Sequence, residues 1–274
     1  MIRTTEYGPV ARFDLARNMP AGWRYWTTAY QVGSLLIDSG CAHCADELIQ
    51  VLSTRQNLTQ IINTHTHEDH IGANGKLQKL NNLTIMAHPL ALPVLKDPRG
   101  QQPLKPYRYL FWGMPEPSLG IPLANEEAIS CDGHTYQVIY TPGHSHDHIC
   151  LYEPDEGWLF SGDLFVGGKE RALREGYDIW GIIESLKKIS RLKINWLFPG
   201  SARARKNPEA EICAKIEYLE RLVERIVQSA RDGLSEAHIA RKILGPPMRV
   251  ELITLGHFSR RHFIRSCMGK YRGQ

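Results

Sequence analysis

The stretch THTHEDH, residues 64–70, places three histidines and two carboxylates in one short segment of the chain. It follows the apolar run 58–62, which predicts a buried strand ending at the histidine cluster. Imidazole and carboxylate groups are side chains with which proteins bind zinc and other divalent transition metals. His65 and His67 are one residue apart, so in an extended turn both side chains point in the same direction. The stretch therefore predicts a metal site; the competing interpretation is a solvated polar cluster, which chance rarely places directly after a buried strand.

The end of the same stretch predicts a change of secondary structure. Asp69 and His70 are expected to begin a helix, because the glycine-containing segment 71–75 allows close packing and 76–80 continues it. In that arrangement the side chains of Asp69 and His70 face a second metal position beside the one that His65 and His67 face. The cluster can then hold one or two metal ions.

Length and composition indicate a globular protein. The 274 residues suffice for one large α/β domain or for a domain with a small appendage, and the hydrophobic content of 42% allows a sizeable core. No apolar run approaches the ~18 residues of a membrane helix, and the first residues lack the apolar core of a secretory signal. The six cysteines are scattered, which favours reduced thiols over a disulfide framework. We therefore expect a cytoplasmic protein that does not bind a membrane.

The net charge of +4 is unevenly distributed along the chain. Residues 201–274 carry 15 Lys and Arg against 8 Asp and Glu. Such a basic region can attract an anionic small-molecule substrate or, with weaker support, a nucleic acid. A solvated helical face is the competing interpretation for most of these charges.

A second acidic residue, Asp38, ends the apolar run 34–37. A carboxylate at such a position is costly unless it is paired. Asp38 is therefore expected either to cap a turn or to orient a metal ligand through a hydrogen bond. The C-x-x-C segment 41–44 is interpreted as the start of a helix over 45–53, since no second cysteine pair lies at zinc-ribbon distance.

The segment 89–122 contains eight prolines and several aromatic residues. So many prolines exclude long helices and central strands. A connection of this length is usually a lid, a binding loop or a partner surface, so a homodimer contact is one possibility and packing on the core is another.

The remaining pattern predicts an alternation of strands and helices. Strands are expected at 24–29, 83–87, 128–130, 135–140, 149–152, 157–160 and 195–198, and helices at 176–192, 208–229, 235–244 and 259–268. Three of the strands end in short turns, PGH at 142–144, SGD at 161–163 and PGS at 199–201. His144 and Asp163 therefore also lie at strand ends.

The order of these motifs, HxHxDH followed by PGH, SGD and a final Pro-Gly turn, resembles that of the metallo-β-lactamase-fold hydrolase superfamily. The similarity is greatest to its glyoxalase II-like members, and the strand that ends at Asp38 resembles the family's second motif. The resemblance implies an α+β fold with a β-sandwich core, a four-layer αβ/βα arrangement, over residues 1–204. Residues 205–274 would then form a C-terminal helical extension.

The resemblance also implies a set of metal ligands. His65, His67 and His144 would bind a first metal, Asp69 and His70 a second, and Asp163 would bridge the two. The family usually has a histidine after the last Pro-Gly, and this chain has Ser201 there.

Three outcomes are open for this departure from the family pattern. A second metal binds weakly with water in place of the histidine, the enzyme uses one metal, or another histidine substitutes. The candidates for substitution are His146, His148, His238, His257 and His262, although the family pattern favours a supporting role for His148.

The activity that the resemblance implies is hydrolysis by a metal-activated hydroxide, since a bound divalent metal lowers the pKa of water toward ~7. Asp69 would hold the water and accept its proton, or bind the second metal. The cofactor expected is zinc, as one or two ions, with iron or manganese as alternatives. A thioester or ester of an anionic carrier is the first expectation for the substrate. Alternatives are phosphodiester cleavage in RNA, or a metal-binding or oxygen-handling relative with weak hydrolysis.

Overall fold

The computed structural model describes residues 1–19 and 24–269. The chain divides into two compact units. The first contains residues 1–140, 147–166 and 194–206, and the second contains 141–146, 167–193 and 207–274. The last segment of the first unit thus ends two residues after the expected boundary at 204, and a separate extension over 205–274 stays a prediction.

The described residues form fifteen strands. In chain order they are β1 (Ile2–Tyr7), β2 (Val10–Leu15), β3 (Thr27–Val32), β4 (Leu35–Ile37), β5 (Gln60–Ile62), β6 (Thr84–Ala87), β7 (Gly120–Pro122), β8 (Ala128–Cys131), β9 (His134–Tyr140), β10 (Ile149–Glu153), β11 (Trp158–Gly162), β12 (Leu173–Arg174), β13 (Trp196–Pro199), β14 (Arg205–Lys206) and β15 (Phe258–Ser259).

The α-helices of the described chain are α1 (Ala45–Leu52), α2 (Asn74–Asn81), α3 (Leu92–Lys96), α4 (Pro98–Gln101), α5 (Pro106–Trp112), α6 (Ile179–Ile189), α7 (Glu209–Arg231), α8 (Glu236–Ile239), α9 (Arg249–Ile253) and α10 (Arg260–Gly269). Short 3₁₀ turns precede α1 and α3, and a π-helical turn, Ala240–Leu244, follows α8. None of the helices in residues 1–19 and 24–269 is long and apolar enough to cross a membrane.

The first sheet has seven strands in the order β1 to β7. Its first four strands pair antiparallel, and β4 to β7 pair parallel. The expectation of a first strand at 24–29 was wrong, because β1 and β2 precede it and the strand in that region is Thr27–Val32. The signal of β1 is weak because it is an edge strand with mostly exposed side chains.

The second sheet has six strands in the order β14, β13, β11, β10, β9, β8. It is mixed, since β11 and β13 are parallel and the other neighbours are antiparallel. The two sheets share one buried core. Its members alternate along the strands with residues of the opposite face and include Val10, Tyr30, Val32, Leu35, Ile37 and Ile62 from the first sheet and Tyr136, Val138, Ile149, Leu151, Phe160 and Phe198 from the second.

A second apolar cluster covers the other face of the first sheet. It contains strand residues such as Phe13, Leu36 and Ile61 together with Leu48 of α1 and Leu77 of α2. Because β2 to β6 are buried on both faces, the ends of the parallel strands β4 and β5 lie inside the first unit. This arrangement places the residues after β4 and β5 beside each other.

The second unit contains the two-stranded sheet of β12 and β15 and the C-terminal helices. Ser235 and Ser259 act as the N-caps predicted for the helices that follow them, since each hydroxyl accepts a hydrogen bond from the amide three residues on, at 3.3 and 3.2 Å. Helix α9 was not predicted.

Candidate metal centre

Residues 63–73 form a loop between β5 and α2 rather than the start of a helix. The expectation that Asp69 and His70 begin a helix was therefore wrong, since α2 begins at Asn74. The backbone groups of the loop are bound by its surroundings instead of by helical hydrogen bonds. The amide of Ser39 donates to the carbonyl of His70 at 2.7 Å, and the Asn74 side chain donates to Asn63 at 2.7 Å. The loop is thus held in one shape on the end of β4.

Asp38, directly after β4, orients the loop and one of its histidines. Its backbone is in the left-handed region, with φ of 57°. The carboxylate accepts hydrogen bonds from the amide and hydroxyl of Thr64, at 2.8 and 2.7 Å, and from Nδ1 of His70 at 2.7 Å. Because Nδ1 of His70 donates in this contact, Nε2 is the nitrogen that would bind a metal once the imidazole is neutral.

His70 is fully buried, and its Nε2 has no hydrogen-bond partner within the described chain. The nearest carboxylate oxygens are those of Asp163, at 3.7 Å, and Asp69, at 4.0 Å. Burial by itself would lower the pKa of His70, but the nearby carboxylates of Asp38, Asp163 and Asp69 outweigh it and raise that pKa well above its ordinary value. The space between this buried nitrogen and the two carboxylates suits a cation.

One atom each from His65, His70 and Asp163 lie within 4.8 Å of one another. This spacing and this donor set, two imidazoles and a carboxylate, fit a divalent metal such as zinc. The residues present therefore fit the metal that the sequence predicts.

His65 and His67 lie side by side at the start of the loop, and both are buried. Nε2 of His65 is 2.9 Å from Nδ1 of His67, and the hydroxyl of Thr64 is 3.1 Å from Nδ1 of His65. The amide and hydroxyl of Thr66, between them, donate to Asp147 at 2.9 and 2.6 Å. Asp147 was not singled out in the sequence, although its position in the histidine-rich segment 144–148 is a usable signal.

Asp69 is buried, with 7% of its surface exposed. The pKa of this carboxyl is raised to about 7, mainly by burial, with the charges of Glu68 and Asp163 acting in the same direction and those of His70 and Arg108 opposing them. A carboxyl with such a pKa can exchange a proton near neutral pH.

Asp163 is held between three neighbours. Its amide donates to Nε2 of His148 at 3.2 Å, and its carboxylate accepts a hydrogen bond from the hydroxyl of Ser201 at 3.1 Å. A Cβ at Gly200 would lie 2.5 Å from Cε1 of His70 and 2.7 Å from Oδ1 of Asp163. Glycine is therefore required beside these two side chains. Ser201 contacts the expected bridging ligand through its hydroxyl.

His144 belongs to the second unit. There its Nε2 lies 3.3 Å from the hydroxyl of Tyr177, and the two rings are 4.5 Å apart. Its role as third ligand of the first metal stays a prediction. Four other histidines of this unit were suggested as replacements for the histidine missing at position 201, and that role also stays a prediction; they are His146, His238, His257 and His262.

The proline-rich segment is attached to the histidine-rich loop, residues 63–73, at two points. Arg108 of α5 forms a bidentate ion pair with Glu68, and both side chains are buried. The Gln102 side chain donates to the carbonyl of Thr66 at 2.9 Å. Neither Glu68 nor Arg108 was expected in the site, because nothing in their sequence positions indicates that they pair.

The fold and the loop of ligands define a family. The sequence profile of the metallo-beta-lactamase superfamily matches residues 30–201, and the chain belongs to this superfamily. The fold prediction is confirmed, with two mixed sheets and the C-terminal helices present.

Curated relatives of the chain carry several names. It is 32% identical to beta-lactamase-like protein 2 homolog of Drosophila melanogaster over 70% of the chain, an alignment that covers 62% of that protein. It is 24% identical to an atrochrysone carboxyl ACP thioesterase of Aspergillus fumigatus, over 83% of the chain and 67% of the relative. A hydroxyacylglutathione hydrolase of Maricaulis maris is 32% identical over 50% of the chain and 44% of the relative. The chain thus spans only part of the length of each of these relatives.

Among solved structures, a metallo-beta-lactamase family protein from Thermus thermophilus superposes with a TM-score of 0.68 at 16% identity, over 96% of this chain and 93% of that one. A flavo di-iron protein from Thermotoga maritima superposes with a TM-score of 0.58 at 19% identity, over 85% and 70% of the two chains. These likenesses concern the fold.

Proposed function

We propose that this protein is a metal-dependent hydrolase that cleaves thioesters. The observation that carries the proposal is the buried Nε2 of His70, which has no partner in the described chain and lies between the carboxylates of Asp163 and Asp69. His65 supplies a further ligand atom within 4.8 Å. This donor set suits one or two divalent ions, with zinc favoured by the imidazoles and iron or manganese as alternatives.

The ligands of the metal would be His65, His67, Asp69, His70 and Asp163, with His144 added from the family pattern. When bound, the metal would supply Lewis acidity and lower the pKa of water, so that a nucleophile is available at neutral pH. Nothing else in the described site offers an alternative nucleophile of the serine type, since the chain has no G-x-S-x-G motif.

The protein's own groups have distinct tasks in this reaction. In a one-metal form, the carboxylate of Asp69, whose pKa is raised to about 7 mainly by burial, can take up a proton from the attacking water and release it later; in a two-metal form it would be a metal ligand instead. Asp38 holds His70 in one tautomer and one orientation. The hydroxyl of Ser201 donates to Asp163 and limits the directions in which that carboxylate can point.

The choice of a thioester is supported by two of the relatives. One is named a thioesterase and another a hydroxyacylglutathione hydrolase, and an acylated glutathione is a thioester as well. A thioester carbonyl is electrophilic and its thiolate is a good leaving group, so a site that activates water without a strong general acid suffices for its cleavage.

The test is metal analysis of the purified protein together with hydrolysis of a panel of acyl-glutathione and acyl-coenzyme A thioesters. We expect one to two equivalents of zinc, iron or manganese and turnover that a chelator abolishes and added metal restores. His70→Ala should lower metal content and turnover at least tenfold. His88→Ala is the matched control, because His88 stacks on Tyr140 and belongs to no group of metal-ligating side chains in the described chain.

Two results would contradict the proposal. One is a purified protein that binds no divalent metal and whose stability is unchanged by a chelator. The other is a metal-loaded protein that cleaves none of the thioesters but hydrolyses RNA or a β-lactam.

A further inference from the structure

A cavity of about 390 Å³ lies beside strands β1 and β2, all of it within the first unit. Its walls include three arginines, Arg3, Arg12 and Arg203, with Trp26, Asp14 and Ser201. We call these six residues the arginine pocket. A volume of this size is in the range of small-molecule sites, which run from about 300 to 1,000 Å³.

The arginine pocket interrupts an otherwise apolar strand face. Val10 lies on the core-facing side of β2, and alternation along the strand puts Arg12 and Asp14 on the same side. Arg3 and Thr5 of β1 stand opposite Asp14 and Arg12 in the register of the two strands. Arg12 is only 8% exposed. Charge at a core-facing position is costly, so its presence here needs a partner or a ligand.

The carboxylate of the pocket does not balance its cations. Arg12 donates from Nε and Nη2 to Oδ1 of Asp14, at 2.9 and 2.6 Å, and the hydroxyl of Thr28 donates to the same oxygen at 3.0 Å. Asp14 is thus engaged by Arg12, while the guanidinium of Arg3 stacks on the ring of Trp26 at 4.5 Å. Arg3 has no carboxylate partner within residues 1–19 and 24–269. Since Asp14 is engaged by Arg12, it does not neutralise the guanidinium of Arg3 in the pocket.

The arginine pocket adjoins the metal centre through one residue. Ser201 lines the pocket, and its hydroxyl donates to Asp163 at 3.1 Å. The turn that carries Ser201 is fixed on β3, since the amide of Thr28 donates to the carbonyl of Gly200 at 2.7 Å and the hydroxyl of Tyr30 to that of Pro199 at 2.6 Å. The arginine pocket and Asp163 are therefore separated by a single residue, Ser201, which contacts both.

We propose that the arginine pocket binds an anionic group, a phosphate or a carboxylate, on the carrier portion of the substrate. The proposal rests on the proposed function for the identity of that substrate as an anionic thioester. Guanidinium groups match both phosphate and carboxylate in geometry, and those held in place by Trp26 and Asp14 lose little freedom when an anion binds.

Binding is tested without catalysis. Two probes lack a free thiol that would bind the metal: adenosine 3′,5′-bisphosphate, which carries the 3′-phosphate and the inner 5′-phosphate of coenzyme A, and S-methylglutathione, which carries carboxylates. Titration calorimetry on the metal-loaded protein should show binding of at least one probe, weakened by salt. Arg3→Ala and Arg203→Ala should each weaken that binding about tenfold. Arg241→Ala is the matched control, since Arg241 is an exposed arginine in the π-helical turn of the second unit.

The two probes separate the two sources of the anion. Preference for the bisphosphate indicates a phosphate-bearing carrier, and preference for the glutathione derivative indicates a carboxylate-bearing one. Both Arg3 and Arg203 are exposed, so their replacement should not unfold the protein, which a thermal melt would verify. The proposal is overturned if the wild-type protein binds neither probe. It is also overturned if Arg3→Ala and Arg203→Ala bind the probes as tightly as the wild type and the control Arg241→Ala. Binding only of an RNA oligonucleotide through Arg3 would also overturn it, in favour of a nucleic-acid surface.

Kinetics then distinguish this proposal from the proposed function. For an acyl-coenzyme A or acyl-glutathione substrate, Arg3→Ala should raise KM about tenfold. The kcat/KM for this anionic substrate, divided by the kcat/KM for a neutral N-acetylcysteamine thioester, should therefore fall. A protein that binds the anionic probes through the arginines but cleaves no thioester would retain the pocket and refute the proposed function. The opposite outcome is a protein that cleaves charged and neutral thioesters with a ratio of kcat/KM values that Arg3→Ala and Arg203→Ala leave unchanged. That outcome would support the proposed function and refute the role of the arginine pocket.

Discussion

At Asp38 a single carboxylate accepts three hydrogen bonds from backbone and side-chain donors of the histidine-rich loop. Its left-handed backbone, with φ of 57°, is a conformation that aspartate and asparagine tolerate better than other residues with a Cβ. The charge and the geometry of this residue can therefore be tested separately.

Replacement of Asp38 by asparagine should weaken metal binding by about 10–100-fold. Asparagine suits the same backbone. Its amide oxygen is expected to keep the hydrogen bond from the Thr64 amide, which leaves the amide nitrogen, a donor, opposite Nδ1 of His70. The imidazole then favours the tautomer with its proton on Nε2, the atom that faces Asp163. The measurement is a competition titration of metal against a chromophoric chelator.

Asp132→Asn provides the control for Asp38→Asn. Asp132 has a similar φ of 48° and accepts a hydrogen bond from the amide of Ser34 at 2.5 Å, but it contacts none of the candidate ligands. Equal metal affinities of the Asp38 variant and the wild type would show that Asp38 does not control the ligand.

Ser201→His should raise the amount of bound metal per chain toward a second equivalent. Imidazole is a stronger neutral ligand than a hydroxyl group, and the side chain at 201 already contacts Asp163. The measurement is elemental analysis at several metal concentrations, with Ser201→Ala as the control that removes the hydroxyl without adding a ligand. An unchanged stoichiometry in the histidine variant would count against a second metal position at this turn.

The residue scale also shows how far the sequence predicts the site. The histidines of the loop were recognised because they are adjacent in the chain, and Asp38 because a carboxylate after an apolar run needs a partner. Glu68 and Arg108 were not recognised, since their pairing depends on how the proline-rich segment folds back on the loop. Asp147 was missed because its hydrogen bonds to Thr66 join positions that are 81 residues apart in the chain.

At the level of elements, α5 is connected to the histidine-rich loop by a buried ion pair. The paired side chains of Arg108 and Glu68 are 4% and 0% exposed, so neither charge can be solvated by water when the other is removed.

Arg108→Ala should therefore destabilise the protein by about 3–5 kcal/mol, because it leaves the carboxylate of Glu68 buried and unpaired. Lys79→Ala is the matched control, since Lys79 pairs with Glu116 of the same proline-rich segment but is 69% exposed, and its loss should cost less than about 1 kcal/mol. Urea unfolding measures both. The double variant Arg108→Met, Glu68→Leu should be more stable than Arg108→Ala alone. If Arg108→Ala is as stable as the wild type, the ion pair does not contribute to stability.

Helix α9 and the start of α10 are connected by Glu251. Burial would raise the pKa of this carboxyl, but hydrogen bonds from the amides of Arg260 and Met248 and from the Arg260 guanidinium outweigh it, so the pKa lies below its ordinary value. A lowered pKa means that the ionised form is stabilised by folding.

The contribution of Glu251 is thus fully present above pH ~4.3, the ordinary pKa of glutamate, and is lost as the pH falls through the lower folded value. Glu251→Gln should destabilise the protein by about 1–3 kcal/mol at pH 7, and the difference from wild type should shrink below pH ~4. Thermal melts across this pH range measure it, with the exposed Glu224→Gln as control. A difference that is independent of pH would rule out the charge as its cause.

The elements also show why parts of the fold were harder to predict. Strands buried on both faces, such as β4 and β5, form apolar runs that are easily recognised. Strand β1 is exposed over most of its length, and β2 has charged residues at core-facing positions, so neither resembles an ordinary strand. The charged residues that make β2 hard to predict, Arg12 and Asp14, belong to the arginine pocket.

For the molecule as a whole, bound metal should add to the stability of the folded state. A ligand that binds only the folded protein adds about 2.7 kcal/mol at a concentration of 100 Kd, which corresponds to about 5–10 °C in Tm for a chain of this size. The gain should be larger at pH 8 than at pH 6, because the imidazoles must be neutral and the carboxylates ionised to bind. Thermal melts with zinc and with a chelator at both pH values measure this, and an equal gain at both would contradict binding through histidine.

The parallel run β4, β5, β6 has a consequence for the order of folding. These strands follow one another in the chain and pair with their immediate successors, so their pairing needs no residue from the second sheet. Asp38 and the histidine loop belong to this run, whereas Asp163 and Ser201 come from β11 and the turn after β13, much later in the chain. A nascent chain would therefore present half of the metal site long before the other half is synthesised, and premature metal capture by that half is a hazard that the completed second sheet removes.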